Sequence, residues 1–187
     1  MFEIKKLTPE LIDTFINFLE NLEFKHAPQW KGCYCHYYHS EVPSESWRYQ
    51  KAEDNKLKSI QAIYEGMMTG FLAFHEGKCI GWANINDARR YKRLEEELKK
   101  YIQDKRVALS ICFIISPEFR NQGVARKLLD HAIEYYRYQG FDGMIAMPSN
   151  GDYKKELHYH GTMNMYLERG YKEIDKIENT KIMYKQI

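Results

Sequence analysis

The sequence predicts a mixed α/β fold. Two observations carry that prediction. Residues 107–139 change hydrophobic period once, and similar strand-like and helix-like segments alternate along nearly the whole chain. Val107 to Ile115 is an apolar, β-branched run of strand length, stopped by Ser116-Pro117. From Val124 the spacing becomes helical: Val124, Leu128, Ala132 and Tyr136 form one row, and Ala125, Leu129 and Ile133 the next. Arg126, Lys127, Asp130, Glu134 and Arg137 fall mainly on the opposite side, the mark of an amphipathic helix.

Phe2 to Leu7 opens with apolar and charged residues in alternation, as a first strand would. Thr8 is a good N-cap, and Pro9 sits where a first helical residue tolerates proline. Leu11, Phe15, Phe18 and Leu22 then mark the buried face of a first helix. His26 to Pro43 has Gly and prolines, dense aromatics and no helical period. A second helix is expected from about Glu45 to Glu65, stopped by Gly66. Phe71 to His75 and Cys79 to Asn84 read as two strands joined by a short hairpin turn.

Arg89 to Lys105 is charged and helix-forming, with Leu94, Leu98, Tyr101 and Ile102 along a narrow apolar edge. Such a segment reads as a solvated surface helix laid across the sheet, or as a lid or partner-binding arm. Met144 to Met147 is a short strand ended by Pro148, and Ser149 to Gly161 reads as a loop. Thr162 to Arg169 is a short helix capped by Gly170. Tyr171 to Ile177 and Lys181 to Gln186 form a last hairpin. The order is β-α-α-β-β, an insert, then β-α-β-α-β-β. With no linker, repeat or low-complexity stretch, the expectation is one domain over residues 1–187.

The formal net charge of +2 argues against wholesale nucleic-acid binding, which shows a strongly basic face or stripe. No apolar run approaches the roughly 18 to 20 residues of a membrane span. The opening residues lack the apolar stretch of a signal peptide, so a cytoplasmic location is expected, as a monomer or homodimer. The four cysteines fit reduced thiols better than a disulfide framework.

Between the central strand and helix lies R-N-Q-G-V-A, residues 120 to 125. Glycine at a helix start lets backbone approach a ligand, and the free N–H groups there point outward. With the positive end of the helix dipole and Arg120, this is a ready site for a phosphate or pyrophosphate. A one-glycine turn is also what any α/β protein uses as a connection. The dinucleotide pattern G-x-G-x-x-G and the P-loop pattern are both absent.

The spacing [QR]-x-x-G-x-[GA] after a strand ending in Ser-Pro resembles the coenzyme A motif of the GNAT superfamily of N-acetyltransferases. The downstream M-Y-L-E-R-G-Y, residues 165 to 171, resembles that superfamily too, with a Tyr four residues before the Gly. The resemblance implies a mixed central sheet of about seven strands with helices on both faces. It implies acetyl-CoA as co-substrate, its pantetheine arm pairing with main chain near Phe113, Ile114 and Ile115 in a gap between the fourth and fifth strands. The pyrophosphate would rest on the segment Arg120, Asn121, Gln122, Gly123, Val124, Ala125 and Arg126. Tyr166 matches the family's general acid, which protonates the sulfur of coenzyme A. The family often has an Asn seven residues earlier, and here that position is Tyr159.

Amide formation from a thioester needs a neutral amine, a polarised carbonyl and a proton for the leaving thiolate. No covalent nucleophile is required, because positioning alone supplies on the order of 7 to 11 kcal/mol. Glu118, Asp87, Glu156, His158 and His160 are the candidate bases, and a water chain is an equal alternative. For Tyr166 the other reading is a packed aromatic with its hydroxyl bonded to backbone. Trp30, Tyr34, Tyr37, Tyr38 and Trp47 are candidates for one wall of the acceptor pocket, or simply for core. Cys33, Cys35, His36 and His39 offer thiols and imidazoles, but zinc sites space their cysteines by two or more residues, so no metal is expected.

Three functions follow: transfer of acetyl to a small-molecule or peptide amine, non-catalytic acyl-CoA sensing, and RNA modification through the basic run Arg89 to Arg93.

Overall fold

A computed structural model describes residues 2–25, 27–148, 159–177 and 180–187. Its seven strands are β1 (Glu3–Lys6), β2 (Phe71–His75), β3 (Lys78–Asp87), β4 (Val107–Ile115), β5 (Gly143–Ala146), β6 (Lys172–Ile177) and β7 (Thr180–Gln186). Its helices are α1 (Ile12–Glu20), α2 (Ser44–Trp47), α3 (Ala52–Tyr64), α4 (Glu95–Ile102), α5 (Val124–Tyr138) and α6 (Met163–Leu167). The strands form one sheet in the order β1-β2-β3-β4-β5-β7-β6, antiparallel throughout except for the parallel pair β4–β5.

Both faces of the sheet are covered, which is why β2 and β3 read as apolar runs. Alternation sorts β2: Phe71 and Ala73 face α5, while Leu72 and Phe74 face α1 and α3. On the α5 face, Val124, Leu128, Leu129, Ala132, Ile133 and Tyr136 are all buried against the sheet. On the other face, Phe15, Ile16 and Leu19 of α1 pack with Ile63 of α3 and Trp82 of β3. Beyond them, Tyr91, Leu94 and Leu98 cover Leu109, Ile111 and Ile145.

The register slips once where it matters. Asn84 pairs with Cys112 but Ile85 pairs with Ser110, so Ile111 is an extra residue in β4. This bulge puts Ile111 and Cys112 on the same face. It also sends Cys112 and Ile114 to the α1 side, and Phe113 and Ile115 to the α5 side.

Several expected boundaries move. The helix expected over 45–65 is two helices, separated at residues 48–51. The helix expected over 89–105 is α4 alone, preceded by two 3-10 turns, Ala88–Arg90 and Lys92–Leu94. Thr8 makes no side-chain cap bond and leads into a 3-10 turn, Pro9–Leu11, before α1. The β2–β3 hairpin turns through Glu76 and Gly77, both at positive φ (49° and 77°), the geometry that fits the twist of paired strands. No helix among the described residues is long and apolar enough to cross a membrane.

Candidate active site

The site begins where two strands part. β4 and β5 pair only from Val107–Gly143 to Ser110–Ala146, while β4 keeps its pairing with β3 as far as Ile115. From the bulge onward, among the described residues, one edge of β4 faces a gap in the strand pairing. Phe113 and Ile115 carry their main-chain groups toward that edge. The Phe113 N–H donates to the Tyr159 carbonyl at 2.6 Å, and the Ile115 carbonyl accepts from Arg120 Nε at 3.1 Å. Ile114 turns the other way, into a cavity on the α1 side.

At the outer end of the gap stands the N-terminus of α5. Asn121 (φ 61°) and Gly123 (φ 82°) both adopt left-handed backbone, and Gly123 is the N-cap. That conformation is costly for most side chains and suits Gly and Asn. Gln122 Nε2 closes the loop by donating to the Glu118 carbonyl at 2.7 Å. Lys127 is the first residue whose N–H reaches a helix carbonyl, that of Gly123, at 3.0 Å. The N–H groups of Val124, Ala125 and Arg126 therefore point out of the helix end. A Cβ at Gly123 would meet nothing within 4 Å among the described residues, so the loop is open at that position. The Arg126 guanidinium forks onto Glu168 at 3.0 and 3.1 Å, so its charge is shared with a carboxylate.

Tyr166 sits at the inner end. It is fully buried on α6, which starts at the Thr162 cap. Its hydroxyl donates to the His160 carbonyl at 2.7 Å and lies 3.2 Å from Ser110 Oγ, the last β4 residue paired with β5. Burial pushes its phenol up. Gly161 makes this approach possible: a Cβ there would lie 2.9 Å from the Tyr166 hydroxyl.

The third component is a cavity of about 840 Å³ between the segment 30–52 and the β3–β4 edge. Trp30, Tyr34, Tyr37, Tyr38 and Trp47 all line it, joined by Tyr159, Asn84 and Cys112. Gly32, Tyr34 and Cys35 hold left-handed backbone at φ 85°, 47° and 55°. Two buried polar residues of α3 grip this strained turn: Asn55 Nδ2 donates to the Gly32 carbonyl at 3.0 Å, and Ser59 Oγ to the Tyr34 carbonyl at 2.9 Å. Arg93 grips it from the other side. Its guanidinium donates to the carbonyls of Tyr37 (2.9 Å) and Val42 and to Ser44 Oγ (2.8 Å), and it lies 4.0 Å over the Tyr37 ring.

Of the candidate bases among the described residues, one faces this cavity's wall. His160 Nδ1–H donates to the Met147 carbonyl at 2.9 Å, which fixes the tautomer. Its Nε2 therefore accepts from the Tyr38 hydroxyl at 3.0 Å. Burial lowers its pKa to about 4. Glu118 is paired with Lys78 at 3.5 Å, and Asp87 caps the Arg89 N–H at 3.0 Å, at the opposite end of β3. Glu156 and His158 lie outside the described residues.

The cysteine and histidine cluster is drawn apart by its contacts. Burial pushes the Cys33 thiol up to about 12. Trp82 Nε1 donates to Cys35 Sγ at 3.2 Å. His39 Nδ1–H donates to the Arg90 carbonyl at 3.0 Å, and its Nε2 accepts from Asn84 Nδ2 at 3.2 Å. Among the described residues no three His, Cys, Asp or Glu side chains converge as a metal site. The basic run is also engaged internally. Arg89 Nη2 donates to the carbonyls of Ile102, Gln103 and Lys105 at 3.3, 3.0 and 2.8 Å.

Sequence reasoning missed Ser110, Asn84, Cys112 and Arg93. The first three are single residues within strands and carry no local motif. Arg93 looked like one charge among many in its segment.

Comparison with known proteins agrees with this layout. The chain superimposes on the PaiA N-acetyltransferase of Thermoplasma acidophilum, solved with coenzyme A, at TM-score 0.57 and 21% identity, covering 100% of this chain and 99% of that one. The Drosophila melanogaster polyamine N-acetyltransferase matches at TM-score 0.59 and 11% identity over 100% of both chains. A GNAT-family acetyltransferase from Listeria monocytogenes matches at TM-score 0.59 and 14% identity, covering 100% of this chain and 95% of that one. At such identities the likeness is one of fold. No curated protein sequence matches significantly. A profile of the acetyltransferase (GNAT) family matches residues 27–171, well over half of the chain and both halves of the site. The chain belongs to that family of acyltransferases.

Proposed function

We propose that the protein is a cytoplasmic enzyme that transfers acetyl from acetyl-CoA directly to a primary amine. The observation that carries this reading is the opening of the β4–β5 pair beyond Ser110, with the Gly123-capped helix end outside it and the cavity on its α1 side. Pyrophosphate oxygens would accept from the N–H groups of Gln122, Gly123, Val124 and Ala125. Pantetheine would lie along the β4 edge at Phe113 to Ile115.

In the reaction the amine nitrogen attacks the thioester carbonyl carbon, forming the C–N bond, and collapse of the adduct breaks the C–S bond. The proton lost by nitrogen passes to the Tyr38 oxygen as Tyr38 hands its own proton to His160 Nε2. A His160 held near 4 is a weak base, suited to the acidic nitrogen of the tetrahedral adduct rather than to a free ammonium. Tyr166 gives its proton to the departing sulfur, and the Ser110 hydroxyl 3.2 Å away supports the phenolate.

The Tyr166 hydroxyl is held by the His160 carbonyl at 2.7 Å, a contact that favours a second reading: acyl-CoA binding without turnover. Thiol release from acetyl-CoA across an amine panel separates the two. Release with an amine supports transfer; tight acetyl-CoA binding with no release from any amine sinks it.

A further inference from the structure

The proposed acceptor cavity sets several aromatic rings beside a few charges. Its wall runs from Tyr159, beside β4, through Trp30 (ring centroids 4.7 Å apart), and on the other side from Tyr38 through Tyr37 (4.9 Å) to Trp47 (5.1 Å). Among the described residues Glu20 is the one carboxylate on the lining, and it is already engaged by Lys56 at 2.9 Å and by the Tyr34 hydroxyl at 3.1 Å. Lys31 and Arg48 bring positive charge to the same lining.

Aromatic walls can attract a cation through their π faces. Here that role is filled from within the chain. The Arg93 guanidinium lies 4.0 Å from the Tyr37 centroid and 5.9 Å from that of Trp47. An incoming second cation would meet Lys31 and Arg48, with Arg93 behind the Tyr37 ring, and no unpaired carboxylate among the described lining residues to offset them. An uncharged aromatic body would instead meet ring edges and faces, with Tyr38 and Tyr159 hydroxyls and Asn84 near the β4 end for its one nitrogen.

We infer that the cavity selects a primary amine carried on an aromatic body with no second cation, an arylalkylamine, in preference to a polyamine. The inference deepens the acetyltransferase reading and rests on it for the nitrogen's fate, but the selectivity itself is a binding property. It contrasts with the Drosophila neighbour, named for a polyamine.

The test is calorimetry on the full chain saturated with coenzyme A, titrated separately with phenethylamine, agmatine and spermidine. Phenethylamine should bind at least about tenfold more tightly than either polycation, the repulsion between unit charges across a partly screened cavity setting that scale. Trp47→Ala should weaken phenethylamine about tenfold, as loss of a buried aromatic anchor does, and leave coenzyme A affinity unchanged. If that variant fails to fold, Trp30→Leu serves the same purpose. Agmatine or spermidine binding as tightly as phenethylamine, or no binding of any of the three, overturns the inference. Thiol release with acetyl-CoA is read separately. Phenethylamine binding with no thiol release from it or from any other amine would overturn the enzymatic reading and leave the cavity's selectivity established.

Discussion

The Tyr38 hydroxyl lies 3.0 Å from Nε2 of His160, joining the aromatic segment before α2 to the chain that follows β5. Because Nδ1–H is committed to the Met147 carbonyl, the tyrosine is the donor in this bond. If the pair carries the amine's proton, Tyr38→Phe and His160→Gln should each lower kcat, toward the low end of the roughly 10²- to 10⁴-fold of general base catalysis. The double variant should lose little more than either single one, since they act in series. Steady-state kinetics with a working acceptor checks this, and two independent multiplicative losses would refute a relay.

His160 and His39 share a pH signature. Burial lowers both to about 4 from an ordinary 6.5. Below 6.5 the unfolded chain binds protons that the folded chain refuses, so stability is full above about 6.5 and falls as pH drops toward 4. Each group contributes on the order of 3 kcal/mol across that window as an upper figure. Urea titrations at pH 7 and pH 4.5 should show the fall. A His39→Gln variant that keeps the full pH slope would remove His39 from the account.

At about a hundredfold excess over its dissociation constant, acetyl-CoA should stabilise the protein by roughly 2.7 kcal/mol. Gly123→Glu should abolish that thermal shift if the pyrophosphate rests there as proposed, since it adds bulk and negative charge at that position. Gly123→Ala separates strain from occlusion. A Cβ there meets nothing within 4 Å, yet φ is 82°, so the change should cost about 1 kcal/mol of stability and keep much of the shift. A folded Gly123→Glu protein with an undiminished shift would move the cofactor elsewhere.

Tyr166→Phe tests two roles at once. Removing the hydroxyl leaves the buried His160 carbonyl without its donor, a cost of about 1–3 kcal/mol in stability. If the hydroxyl also protonates the thiolate, kcat and kcat/KM should fall together by roughly a hundredfold while acetyl-CoA binding stays within a few-fold. A less stable variant with normal kcat at low temperature would leave Tyr166 as a packing residue.

Arg93→Lys should raise the KM for the amine with little change in acetyl-CoA affinity. A lysine cannot reproduce the planar fork that reaches two carbonyls and a hydroxyl. The loosened segment should also unfold more easily, by about 1–2 kcal/mol. Hydrogen exchange in residues 34–44 would report it, and unchanged protection there would argue against Arg93 as the segment's anchor.

Local chemistry alone determined the β4-turn-α5 unit. The apolar run, the Pro stop, the glycine and the 3.6-residue period are all neighbours in sequence, and the structure places β4 at the expected residues and α5 within one. The aromatic segment from His26 to Pro43 was visible for the same reason, as a composition without a period. The tertiary structure decided the rest. The helix expected over 89–105 is shorter because Arg89 binds the carbonyls that close α4, and residues 88–94 turn to bury Tyr91 and Leu94. The polar face of α3 is buried at Asn55 and Ser59 because a strained turn elsewhere needs donors, and hydrophobic periodicity is blind to that demand. Whether Cys112 faced the cavity depended on a bulge against β3, a register set by pairing between residues far apart in the chain. His160 stood out among the described candidate bases only when folding set Met147 on one ring nitrogen and Tyr38, 122 residues away, on the other.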